Sequence, residues 1–245
     1  MKLSNKSFMR GNIHEFDAFS DEYRIIHTKN LRLSGAESDY FCEHKILEIK
    51  KQEVSSPLKF LDFGCGDGLM SKYFIKHFPS GSYCGIDISS ENIKQALLRK
   101  LDNCSFFHYL GNELPFEDDT FDIALAANVF HHIDRKDHLK TIMEISRTLK
   151  PGGRLYVFEH NPINPVTQWI VKTCIFDKKA KLLLPCHFKK YFNNSQMSTY
   201  KIKYLLFFPR HRIFKWLFAS EEYLYKLPMG AQYVIIGQKD VLDSV

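Results

Sequence analysis

Three glycines stand at alternate positions, Gly64, Gly66 and Gly68, in the run LDFGCGDG over residues 61–68. A backbone bare of side chains at that spacing turns sharply out of a strand and lets a ligand approach the main chain. A helix beginning near Gly68 aims its free N–H groups at the same place. The dinucleotide fingerprint G-x-G-x-x-G needs its third glycine one residue later, where this chain has Leu69, so the spacing disfavours NAD.

Two carboxylates narrow the ligand. Asp62 lies inside the apolar run, two residues before the turn. Buried alone it would be costly, whereas an ammonium or several N–H donors would satisfy it. Asp87 closes the stretch GID, 19 residues beyond Gly68, a place from which an acid takes ribose hydroxyls. A ligand that joins an amino acid to a nucleoside meets the turn and both acids, and S-adenosylmethionine is such a ligand.

Further along, His131 and His132 follow the apolar run 121–128, and Glu159 and His160 end another at 154–160. Imidazoles titrate near neutrality, so these residues are candidates to orient an acceptor or take its proton. A structural part in the turn is the alternative for the His pair. The six cysteines show no CxxC pair and the histidines no ligand spacing, so no metal is expected.

The elements that must carry these residues alternate. Helices are read at 12–30 and 37–52, the second with Phe41, Ile46, Leu47 and Ile49 as its apolar face. Strand 59–63 precedes helix 68–78, strand 82–87 precedes helix 89–101 capped by Ser89 or Ser90, and strands follow at 104–110 and 121–128. A helix capped by Asp134, with Leu139, Ile142, Met143, Ser146 and Leu149 on its face, ends at Pro151-Gly152 before strand 154–160. Helical segments of uncertain extent, a strand at 201–209, an aromatic helix at 212–227 and a last strand at 231–239 complete the chain. The pattern predicts an α/β, Rossmann-like, seven-stranded, mostly parallel sheet with helices on both faces, N-terminal helices and a helical cap inserted after the fifth strand. As one domain, 1–245 divides into N-terminal helices over the cofactor site (1–56), a core (57–160), a cap with the sixth strand (161–230) and the last strand (231–239).

LDFGCGDG, GIDIS, NELPFEDDTFDIALAANVFHHI and LKPGGRLYVFEH, over roughly 58–160, together resemble a class I S-adenosylmethionine-dependent methyltransferase of the small-molecule kind (the type 11 group, related to quinone-biosynthesis methyltransferases). The resemblance implies methyl transfer from S-adenosylmethionine, with S-adenosylhomocysteine as product. It places Asp62, Gly64, Cys65, Gly66 and Gly68 against the methionine end and ribose, Asp87 on the ribose hydroxyls and Ile88 on the adenine. Gly111, Asn112 and Glu113 fall in the loop where the family binds the adenine amino group, with Leu110 at the position of the usual Asp. Asn128, Val129 and Phe130 fall beside the transferred methyl, and Tyr23 and Tyr40 in helices that close over the site. His131, Glu159 and His160 are the candidates for catalysis.

The chain of 245 residues carries a net charge of +6, unevenly placed: residues 170–216 hold eleven Lys or Arg against Asp177 alone. Such a segment suits an anionic partner, whether a small-molecule or lipid-linked acceptor or a membrane surface touched through 170–218. Nucleic-acid base methyltransferases carry an Asn- or Asp-Pro-Pro-aromatic motif after the fourth strand, where this chain has NVFH, so no DNA partner is expected. RNA methylation and a non-catalytic, cofactor-binding scaffold or regulator are the alternatives. No secretory h-region and no uncharged apolar stretch of about 18 residues is present in MKLSNKSFMRGN or beyond it, and the reading is a cytoplasmic protein with reduced thiols.

Overall fold

The computed structural model describes residues 38–53, 58–111, 113–173 and 180–241. The strands are β1 (Lys59–Phe63), β2 (Ser82–Asp87), β3 (Cys104–His108), β4 (Phe121–Ala127), β5 (Leu149–His160), β6 (Met197–Leu205) and β7 (Gln232–Lys239). The helices are α1 (Ser38–Lys50), α2 (Leu69–His77), α3 (Ser90–Leu97), α4 (His138–Thr148), α5 (Pro165–Thr173), α6 (Pro185–Asn193) and α7 (Glu221–Leu224), with 3-10 turns at Phe130–His132 and Arg212–Ser220.

The strands form one sheet in the order β3-β2-β1-β4-β5-β7-β6. β1 to β5 are parallel, and β7 runs antiparallel to both β5 and β6. The central strands are apolar on both faces because both are covered. Leu61, Phe63, Ala124, Ala126, Leu155 and Val157 share one core with Ile142 and Ile145 of α4 and Phe188 and Phe192 of α6. The alternate residues Phe60, Ile123, Leu125, Tyr156 and Phe158 share the other with Ile46 and Ile49 of α1 and Met70 and Phe74 of α2. Strand order reverses between β1 and β4, so the carboxyl ends of β1, β2, β4 and β5 open onto one crevice.

The core follows the sequence pattern closely, and Ser89 caps α3 by accepting the Asn92 N–H at 3.2 Å. Several details differ. Asp134 does not cap α4: the 3-10 turn and a second turn occupy 130–137, and the helix starts after Asp137. The buried face of α4 falls on His138, Thr141, Ile142, Ile145 and Ser146, leaving Met143 half exposed. On α1, Leu47 faces out, while Lys45 and Glu48 join Ile46 and Ile49 inside. β5 already pairs at Leu149, with Pro151 and Gly152 forming a bulge where the register with β4 shifts. β6 lies four residues earlier than the apolar run 201–209 suggests, and the chain leaves it at Leu206 with φ +61°. Residues 212–220 wind as a 3-10 helix with no buried side chain, since no element covers a helical stripe there. The predicted helix at 12–30 lies outside the described residues.

Candidate active site

The glycine turn leaves β1 with φ of +79°, +54° and +73° at Gly64, Gly66 and Gly68, values that L side chains rarely adopt. It is tied down on both sides. The N–H groups of Gly64 and Cys65 both donate to Ile86 O at 2.8 and 2.9 Å, and Arg99 Nε donates to Asp67 O at 2.6 Å. A Cβ on Gly64 would lie 2.5 Å from a Val129 methyl, whereas one on Gly66 would meet nothing within 4 Å. Val129 therefore seals the base of the turn and leaves the space over Gly66 open.

Asp87, at the end of β2, accepts the Gly66 N–H at Oδ2 and the Ser89 N–H at Oδ1, each at 2.8 Å. A carboxylate has about four lone-pair positions, so hydroxyl donors can still be accepted. Burial pushes its pKa up, against the lowering effect of those two N–H bonds.

Asp62 is 2% exposed, and the Tyr83 hydroxyl donates to its carboxyl group. Burial pushes its pKa up to about 7, a rise that the Tyr83 bond only partly opposes. Within the protein the partner of Asp62 is thus a phenol. Lys45, 5% exposed on α1, lies 6.0 Å from the Phe158 ring centre and within the fields of Asp62 and Glu159. Burial depresses its pKa, against the attraction of Cys42, Glu159 and Asp62. Neither Tyr83 nor Lys45 belongs to a motif. The only signal for Lys45 was a cation on the helical face of Ile46 and Ile49.

At the ends of β4 and β5 the histidines and Glu159 form one cluster. Glu159 is fully buried, and its two oxygens are divided: Oε1 accepts the Phe130 N–H at 2.9 Å and Oε2 meets His131 Nδ1 at 2.5 Å. Burial raises the Glu159 pKa, but the imidazoles of His131, His160 and His132 outweigh it and hold the carboxyl below its usual value. The His131 ring centre lies 4.1 Å from that of His132 and 5.5 Å from that of His160. His131 is 4% exposed, so it sits behind the mouth of the crevice, and His132 and His160 are only half-buried.

Among the other expected site residues, the Phe130 ring is fully buried against Phe63 and Phe188, and its N–H donates to Glu159. Glu113 is exposed and is not drawn into the cluster, while Gly111 is buried with φ +81°. Cys65 is buried beneath the turn with Sγ 3.5 Å from Gly66 O, and Ile88 packs on the core beside Asp87. Asn128 leaves β4 at φ +58°, and its buried Oδ1 has no hydrogen-bond partner among the described residues. Tyr23 and Asn112 lie outside the described residues. Among the described residues no group of three or more His, Cys, Asp and Glu is placed to hold a metal ion.

Residues 61–157 match the family model described as a methyltransferase domain. They span the glycine turn, Asp87, the His pair and most of β5. Over 115 residues the chain is 30% identical to the phthiotriol/phenolphthiotriol dimycocerosates methyltransferase 1 of Mycobacterium ulcerans, covering 45% of this chain and 41% of that one. It is 29% identical to the demethylmenaquinone methyltransferase of Chlamydia pneumoniae over 150 residues, 60% of each chain. The matches thus span less than two thirds of these relatives' own length. In fold, the chain is similar to an S-adenosylmethionine-dependent methyltransferase from Thermotoga maritima, with a TM-score of 0.66, 20% identity, and coverage of 93% of this chain and 99% of that one.

Proposed function

We propose that this protein methylates a small-molecule or lipid-linked acceptor that must lose a proton as it reacts. The observation that carries the reading is the buried Glu159–His131 pair at the crevice that the glycine turn also faces. The turn supports a nucleoside-linked amino acid: it is open over Gly66 and backed by Asp87, which keeps acceptor capacity for ribose hydroxyls. Asp62 is the group for the ammonium end. S-adenosylmethionine supplies a methyl on a sulfonium, whose departure as a thioether needs no acid. Gly64, Cys65, Gly66, Gly68, Asp87 and Ile88 hold that donor, with Gly111, Asn128 and Val129 completing the wall.

The protein's remaining task is to hold the nucleophile near the methyl and remove its proton. Glu159 is a positioning residue. It fixes His131 through Nδ1, so the imidazole exchanges a proton through Nε2, and His132 and His160 border the acceptor side. The lipid-linked class is supported by the printed activities of the two relatives, one on phthiotriol dimycocerosates and one on demethylmenaquinone. Contact of the segment 170–218 with an anionic membrane and a cytoplasmic location belong to the same proposal. No helix among the described residues is long and apolar enough to cross a membrane.

The test is methyl transfer from labelled S-adenosylmethionine to detergent-dispersed quinol, phenol and fatty-acid acceptors. Glu159→Gln and His131→Ala are expected to lower turnover by about 10²-fold or more and to flatten the pH–rate profile between pH 6 and 8, with cofactor affinity kept. An unaltered profile with the true acceptor would return both residues to a structural role.

A further inference from the structure

Half of the large apolar side chains exposed among the described residues come from two short stretches, 163–169 and 213–229. Ile163 (51% exposed), Val166 (62%) and Trp169 (54%) lie on and before α5; Ile213 (72%), Trp216 (77%) and Met229 (66%) lie on the 3-10 helix and the loop before β7. Both tryptophans of the chain are among them. The sheet brings the stretches to one end. α5 leaves the carboxyl end of β5 directly after Glu159 and His160, the 3-10 helix leaves the carboxyl end of β6, and β7 begins between them. Asn164 Nδ2 donates to Met229 O at 2.6 Å, and Asn161 Nδ2 donates to Pro228 O and Gly230 O at 3.0 and 2.8 Å. The apolar tips thus stand on a braced rim beside the crevice.

The rim is held rigidly on its other side. Glu221 accepts the N–H groups of Phe207 and Phe208 at 2.9 and 3.1 Å and pairs with Arg210 at 2.6 Å. The Arg210 guanidinium lies between the rings of Tyr40 and Phe218, at 5.3 and 4.4 Å. Among the described residues, Lys172, Arg212, Lys215 and Lys226 are exposed around the tips and join no ion pair, while the acid Glu222 lies 3.5 Å from Lys51. Apolar side chains that stand out of a cationic rim match one surface chemistry, an apolar layer beneath anionic headgroups. Exposed Trp at such a rim suits the boundary between headgroups and acyl chains.

We infer that the rim formed by 163–169 and 213–229 docks on an anionic lipid bilayer and turns the mouth of the crevice towards it. The inference rests on the acceptor reading above for its purpose: a lipid-linked acceptor then enters from the bilayer without crossing water. Docking itself requires only the rim.

The two tryptophans make the test direct. The full chain is mixed with vesicles of phosphatidylcholine alone and of phosphatidylcholine with phosphatidylglycerol at about 3:1. Sedimentation and tryptophan emission are read, and S-adenosylhomocysteine binding is measured on the same preparation. Sedimentation with the anionic vesicles and a blue shift are expected, both falling at least about tenfold in apparent affinity in Ile213→Glu/Trp216→Glu. These side chains are exposed, so the variant keeps its S-adenosylhomocysteine affinity. No vesicle binding by protein that binds S-adenosylhomocysteine overturns the inference and leaves the methyltransferase reading standing. Vesicle binding by folded protein that does not take S-adenosylhomocysteine supports docking and removes that reading. Equal binding by the variant, or tighter binding to single-stranded RNA than to vesicles, overturns docking through this rim.

Discussion

Burial of a carboxyl group that is 2% exposed favours its protonated form, and the tyrosine hydroxyl that it accepts opposes this only in part. Asp62, with its pKa pushed up to about 7, therefore shapes the stability of the protein with pH. Its folded pKa lies above the ordinary aspartate value. From about pH 4 to about pH 7 the folded state binds the proton more tightly than the unfolded chain does, so this group's contribution falls as pH rises and is constant above. Asp62→Asn keeps an acceptor for Tyr83 and removes the charge. Relative to wild type, it is expected to gain about 3 kcal/mol of stability between pH 5 and pH 8 in urea unfolding. A pH-independent difference would show that Asp62 is ionised in the fold throughout. That a carboxylate stood out of place was visible in LDFGCGDG, but its partner was not. Tyr83 reaches Asp62 only because β2 lies beside β1, with Asp62 opposite Gly85, a pairing that no local pattern states. Phe130 shows the reverse: its place after the fourth strand is legible in the motif, while the packing of its ring on Phe188 is not.

Among the elements, α6 stands furthest from what its sequence announces. The stretch 178–195 reads as basic, yet Phe188 and Phe192, four residues apart, are both fully buried against the sheet. The Phe188 ring meets Phe130 edge-on at 5.2 Å, which seats the segment that carries His131. Phe188→Ala is expected to cost about 3–5 kcal/mol in chemical denaturation, and a loss below about 1 kcal/mol would mean that α6 is not part of the cooperative core. β1, β2, β4 and most of β5 are legible because strands covered on both faces become continuous apolar runs, with β1 ended by Gly64 and β2 by Asp87. The start of β6 is not legible because β6 is an edge strand whose register shifts between Thr199 and Lys201, which breaks its alternation. The 3-10 helix at 212–220 was read as α-helical because an aromatic-rich stretch with no buried stripe offers no period to choose by.

Across the whole molecule, the excess of eleven cations over one acid in 170–216 does not become a single patch. Lys203 pairs with Glu48, Lys201 reaches Gln52 at 3.2 Å, and Arg210 is sandwiched at Glu221, so part of that charge fastens the last strands and the rim to α1 and α7. Of the cations that remain exposed, Lys172, Arg212 and Lys215 lie around the apolar tips, at the end of the sheet where the glycine turn and the histidine cluster also open. Lys181, Lys189 and Lys190 are exposed on and before α6. On the proposed reading, one end of the sheet gathers a donor site, a proton-handling cluster and a surface for the acceptor's environment. The first is the most legible in sequence, because a main-chain binding site leaves a spacing, whereas the histidine cluster and the basic segment show there only as residue types. The central claim is that the turn holds S-adenosylmethionine, and calorimetric titration with S-adenosylhomocysteine tests it most directly. Binding in the micromolar range is expected, and it should be lost in Gly66→Val, whose side chain would fill the open space over the turn at a φ of +54°. No binding by well-folded wild-type protein, or equal binding by the variant, would contradict the account.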